Sequence, residues 1–165
     1  MKIFSYKKFK HGFTLIEVLV ACTIISTSTF ALMSASTKGI QLSAQALRQT
    51  QANMLLEEGA EAVKSIRDAS WTNISGLTLD TNYYLTFNTG TNTWSLGTTP
   101  TATIDSIFTR AVVVSAVNRD ANDDIAVSGT VDTRTKKVTV TTSWALADAT
   151  TSSKALAFYM SDIFN

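Results

Sequence analysis

The chain is predicted to be an α+β protein. One long N-terminal helix, a membrane span continued as an amphipathic spine, packs on an antiparallel β-sheet of four to five strands. Three observations predict it. From Phe13 to Thr37 the only charged residue is Glu17. From Lys38 to about Ala69 apolar residues recur at helical offsets. Beyond Asn73 the composition turns to Thr, Ser, Val and Asn, with two-residue alternation. The 165 residues suffice for one modest domain and an extension, not for two sizeable cores.

The first segment, residues 13–37, is about 25 residues long, or roughly 37 Å as a helix, which exceeds a hydrocarbon core of ~30 Å. Lys7, Lys8, Lys10 and His11 stand in front of it. The positive-inside rule keeps that end in the cytoplasm and exports the remainder. A secretory signal is the rival reading, with small residues at Ala31–Ser36 for cleavage, but its apolar stretch would be shorter. Cys22, the single cysteine, lies in this run, so the rest of the chain folds without a disulfide. Pro100 is far away, and no proline breaks the helix. Ser26, Thr27, Ser28 and Thr29 sit mid-span, where hydroxyls bond back to carbonyls one turn earlier and soften a helix. A carboxylate in lipid costs several kcal/mol, so Glu17 either snorkels to the interface or has a partner.

Gly12-Phe13-Thr14-Leu15-Ile16-Glu17, behind a basic leader and ahead of an uninterrupted apolar run, closely resembles the processing site of type IV prepilins and related pseudopilins. The resemblance implies that residues 1–12 are a leader, cut after Gly12 by a cytoplasm-facing prepilin peptidase that also methylates the new N-terminal Phe13. It implies that Glu17 meets a neighbouring subunit's terminal amine when helices bundle in a filament, setting axial register. The implied partners are the peptidase, other pilin subunits, an inner-membrane assembly platform, and membrane lipid before assembly. The implied location is the cytoplasmic membrane, single-pass with the C-terminal domain exported, and the cell surface or periplasm once in a filament. Losing the leader removes Lys2, Lys7, Lys8 and Lys10, leaving ten basic against thirteen acidic residues. That balance holds no basic patch, and no nucleic-acid partner is expected.

Residues 38–70 read as the amphipathic half of a helix running from about Phe13 to about Ala69. Ile40, Ala44, Leu47, Met54, Leu55, Ala62 and Ile66 form its stripe, and Gly39 and Gly59 are weak points. Glu61/Lys64 and Lys64/Asp68 have ion-pair spacing. "LLEEGAEAVKSIRD" resembles the matching helix of minor pilins and minor pseudopilins, although Glu57, Glu58 and Glu61 read foremost as a solvated face.

Residues 71–165 form the exported β domain. "YYLTFNTGTNTWSL" reads as a hairpin and Ile107–Arg119 as the longest strand. Asp120–Asp124 is a turn, and Ile125–Ser128 a short return. "KKVTVTTSWAL" alternates, with Val138, Val140, Thr142, Trp144 and Leu146 on one face. "KALAFYMSDIF" reads as a last strand with Leu156, Phe158 and Met160 inward, or as a short helix. "FTRAVVVSAVNRDANDD" with "GTVDTRTKKVTVTTSW" resembles the sheet region of minor-pilin-like proteins. Many major pilins close this region with a disulfide that this chain cannot form, which points to a minor pilin or a pseudopilin.

Asp120, Asn122 and Asp124 alternate as in the first half of a calcium loop, but Ile125 stands where an EF-hand needs Gly and no Glu follows. The major pseudopilin of the family binds calcium in C-terminal loops, so calcium at these residues is weighed against an ordinary turn. No other cofactor is expected. Nor is an enzyme: His11 is in the leader and Cys22 in the span, so nucleophile–base pairs and common zinc sites lack members. Trp71, Trp94 and Trp144 read as core or hairpin packing rather than a binding surface. The sequence thus points to a minor pilin of a type IV pilus-like filament. A minor pseudopilin of a type II secretion system is the alternative, and a membrane-tethered exported binding domain the second alternative.

Overall fold

The computed structural model describes residues 12–146 and 149–163; the basic leader and His11 lie outside the described residues. Helix α1 runs from Leu15 to Ala69, 55 residues, and a short α2 covers Thr72–Ser75. Among the described residues six strands follow: β1 (Asn82–Asn88), β2 (Thr93–Gly97), β3 (Phe108–Arg119), β4 (Ile125–Ala126), β5 (Thr130–Ala145) and β6 (Thr151–Ser161). The predicted layout of a long helix packed on an antiparallel sheet, the pilin-like α+β arrangement, is what the chain adopts, with six strands rather than four or five. Compactness divides the chain into two units, the first ending at Ala46 and the second covering Leu47–Asn165.

In the first unit, every described residue is exposed. The apolar stretch reaches a mean hydropathy of 1.9 over 18 residues and is long enough to cross a membrane. That suits a membrane-anchored protein. Every side-chain hydroxyl from Ser26 to Thr29 bonds to a carbonyl one turn earlier, at 2.7–2.9 Å: Ser26 to Cys22, Thr27 to Thr23, Ser28 to Ile24 and Thr29 to Ile25. Thr23 and Thr37 do the same with Val20 and Met33. The span therefore presents no unmet side-chain hydroxyl among these residues to lipid.

In the second unit the strands order as β2-β1-β3-β5-β6, with β4 also on β3, and every pairing is antiparallel. Alternation sends Val112, Val114, Val138, Val140 and Met160 to one face, where Leu56, Ala62, Val63 and Ile66 of α1 meet them with Ile74, Tyr83 and Leu85. A second cluster joins Ala52, Phe108 and Trp144, whose rings meet edge-on at 5.9 Å. Trp71 and Trp94 pack on the first cluster, so all three tryptophans serve packing. The last element is a strand, not a helix.

The helix stripe needs correction. The sheet-facing residues of α1 are Ala52, Leu56, Gly59, Ala60, Ala62, Val63 and Ile66, while Ile40, Leu47 and Met54 are exposed. Small residues were undervalued because the helix sits close on the sheet. A Cβ at Gly59 would lie 2.8 Å from Val140 Cγ1 and 3.0 Å from Arg110 Cδ. Gly59 is thus a point of close approach, not a weak point. Nothing lies within 4 Å of a Cβ at Gly39. Strand β5 starts earlier than its alternation suggests. Between Ala116↔Lys136 and Val117↔Asp132 the register with β3 shifts, an irregularity that lets the polar Thr130–Thr135 segment pair as well. Leu156 faces inward but remains 38% exposed at the sheet edge, whereas Met160 is buried and Phe158 half-buried. Of the two helix ion pairs, Glu61–Lys64 forms at 2.7 Å; Asp68 instead bonds Arg67 at 2.7 Å.

Candidate functional site

The N-terminal constellation is assembled from local chain geometry. Gly12 has open space around it and Phe13 is 86% exposed, so the Gly12–Phe13 bond is accessible. The helix begins at Leu15. Thr14 stands before it as the capping residue, and Glu17 lies three positions on. The Thr14 amide and the Thr14 hydroxyl each donate to Glu17 Oε2 at 3.0 Å, and the Glu17 amide donates back to Thr14 Oγ1 at 3.4 Å. This is a capping box, which satisfies amides that a helix start leaves without partners. It also places a carboxylate at the positive end of the helix dipole. The charge in the apolar run therefore has a partner within its own chain. Thr14 was missed as a functional residue, although the Thr-x-x-Glu spacing announces it.

Asp120, Asn122 and Asp124 sit together in the turn between β3 and β4. Asp120 Oδ1 accepts the amides of Asn122 (2.8 Å) and Asp124 (3.1 Å), so that carboxylate oxygen is spent on holding the turn. The Asp120 amide in turn donates to the Asp124 carbonyl at 2.9 Å. The neighbouring charge is the Arg119 guanidinium, which bonds Asp132 Oδ2 at 2.7 Å and the Asp123 carbonyl at 2.7 Å. Asp132 Oδ1 accepts the amides of Arg134 (2.8 Å) and Thr135 (3.2 Å). Asp132 thereby pins the irregularity in β5. The Arg119 guanidinium, followed by the Thr135 hydroxyl and the Arg134 amide, holds its carboxyl far below the usual carboxylate range. Among the described residues no three of His, Cys, Asp or Glu are grouped to hold a metal ion.

Arg110, on the inward phase of β3, went unremarked in the sequence. Its side chain is only 5% exposed, bonds Glu58 at 3.1 Å and the Leu55 carbonyl at 3.0 Å, and lies 5.6 Å from the Trp94 ring. Glu58 is therefore a tie between helix and sheet as well as part of a wet face. An arginine at an inward position of an otherwise apolar strand was the signal. This cluster is structural: its charges face each other, and no nucleophile stands among them.

Residues 7–33 match the family described as the prokaryotic N-terminal methylation motif. No curated protein and no solved structure shows a significant match to the chain.

Proposed function

We propose, for a chain that carries the type IV pilin and pseudopilin signature at residues 7–33, that it is a minor pilin of a type IV pilus-like filament. The signature implies a structural subunit, processed by prepilin peptidase and assembled with other pilin subunits. In this reading residues 1–12 are removed after Gly12 and Phe13 is N-methylated. The span of residues 13–37 holds the subunit in the inner membrane as a single pass. Residues 71–165 lie outside, and the assembly platform extracts the subunit into the filament. Glu17 leaves its bond to Thr14 for the terminal amine of a neighbouring subunit, where burial makes the charge pair decide register. The observation that carries this is the motif joined to an exposed apolar helix and a pilin-like α+β layout. The minor role rests on the lack of a second cysteine for the disulfide that closes many major pilins.

Intact-mass analysis of the native protein tests processing: it should begin at N-methylated Phe13. A chain retaining its lysine-rich start would refute the reading. Glu17→Gln should be processed and yet fail to enter filaments; equal incorporation would remove its role in register. A deletion that impairs pilus-dependent motility, adhesion or DNA uptake supports the pilus, and one that stops protein secretion transfers the same subunit role to a secretion pseudopilus.

A further inference from the structure

Three polar atoms on the inward face of the sheet have no protein partner among the described residues: Arg110 Nε, Thr142 Oγ1 and Trp144 Nε1. Their residues are deeply buried, with 6%, 0% and 2% of their surface exposed. They are also neighbours. Arg110 and Thr142 stand directly opposite each other in the β3–β5 ladder, and Trp144 is the next residue on the same face of β5. Helix α1 closes over them with small residues, Ala52 packing with Trp144 and Gly59 against Arg110. A Cβ at Gly59 would lie 3.6 Å from Arg110 Nε. Buried polar groups are nearly always hydrogen-bonded, and leaving three adjacent ones unmet would be costly. We infer that these three atoms converge on a bound water held between α1 and the sheet.

The chemistry of the three atoms selects water over an ion. Two are N–H donors, and the third is a hydroxyl oxygen that accepts. A water accepts from Arg110 and Trp144 and donates to Thr142, which makes the ~3 bonds usual for a buried water. With bonds of ~2.9 Å it joins atoms up to ~5.8 Å apart. Directly opposite side chains are rooted ~4.5–5.5 Å from each other, so that reach suffices between Arg110 and Thr142. An anion would also find donors here if the hydroxyl turned. However, the guanidinium charge of Arg110 is already met by Glu58 at 3.1 Å. An anion would therefore add a buried charge with no counter-ion of its own. Arg110 also donates to the Leu55 carbonyl of α1 at 3.0 Å. The water extends this tie across the sheet, from α1 through Arg110 of β3 to Thr142 and Trp144 of β5. Nothing in this depends on the filament reading.

The test uses the full chain in detergent micelles with isotope-labelled tryptophan. The Trp144 indole proton should show a dipolar cross-peak to water in the rotating frame, where chemical exchange gives the opposite sign. Thr142→Ala should keep that peak, because water also fills the place of the lost hydroxyl. With no hydroxyl at residue 142, the peak cannot be relayed through one. Thr142→Val keeps the shape of the side chain and removes only its polar atom. It should lower the melt by about 5 °C, since the water loses a partner inside the protein. If Thr142→Ala does not stay folded, the sign of the Thr142→Val shift still decides. A Thr142→Val chain that melts above wild type had a hydroxyl with no bond to lose, and overturns the inference. So does a folded Thr142→Ala chain with no dipolar peak at Trp144. A wild-type melt that rises when chloride replaces acetate at fixed ionic strength would assign the place to an anion and overturn it too.

Discussion

Gly59→Ala isolates the closest contact between α1 and the sheet. In an exposed helix the substitution would stabilise by ~1 kcal/mol through backbone entropy. Here the new methyl would meet Val140 Cγ1 at 2.8 Å and Arg110 Cδ at 3.0 Å. Both neighbours are buried, and Arg110 is tied to Leu55 and Glu58, so neither moves freely. Overpacking of this kind costs ~1–3 kcal/mol. The expected net result is a loss of up to ~2 kcal/mol, or up to roughly 8 °C in Tm. Val140→Ala alone removes about two buried carbons and should cost ~2 kcal/mol. The double variant Gly59→Ala/Val140→Ala should lose no more than Val140→Ala by itself, since the methyl occupies space that the valine has left. Thermal melts of the full chain in detergent, followed by far-UV circular dichroism, give all four corners of the cycle. Gly39→Ala, with nothing within 4 Å, is the control and should not lower the melt. If Gly59→Ala stabilises like an exposed glycine, or the two losses simply add, the close approach is wrong.

Asp132→Asn should cost ~2 kcal/mol at pH 7, because Arg119 then faces an amide instead of a carboxylate. Asp132 has its folded pKa depressed, so its contribution is present above the unfolded value near ~3.9 and is lost as pH falls through the lower folded value. The gap between wild type and Asp132→Asn in urea midpoints should therefore be constant near neutrality and shrink below about pH 4; a gap that grows on acidification would contradict this. Gly129 has φ +146° and a Cβ there would stand against the Arg119 carbonyl oxygen, so Gly129→Ala should lower the melt by several degrees, as a differential scan would read. Thr14→Ala removes the cap and should weaken the first turn by ~1 kcal/mol, seen as faster amide exchange at Leu15–Val18 in micelles while the sheet amides stay protected.

The sequence displays its helix and hairpin openly, because uninterrupted apolar periodicity and the turn at Thr89–Asn92 are local signals. Which side of α1 meets the sheet was hidden. Ala52, Gly59 and Ala60 carry little hydrophobic weight, yet close packing selects them, while the heavier Leu47 and Met54 stay exposed. The start of β5 was equally hidden, since Thr130–Thr135 has no apolar alternation and depends on Asp132 reaching backbone amides and Arg119. Leu156 alternates correctly, but alternation does not reveal that a strand lies at an edge. At the chain start the motif residues were legible one by one. The mutual bonding of Thr14 and Glu17 was written in their spacing and went unread.

The notch at Gly59 has a mechanical consequence. Val140 and Arg110 occupy it, and the inward residues one turn to either side, Leu56 and Val63, carry full side chains. Sliding the helix along the sheet would drive one of them toward space already filled, and would also pull Glu58 off Arg110. A load applied along the helix axis is therefore met by an interlock that resists creep and yields only when the layers separate altogether.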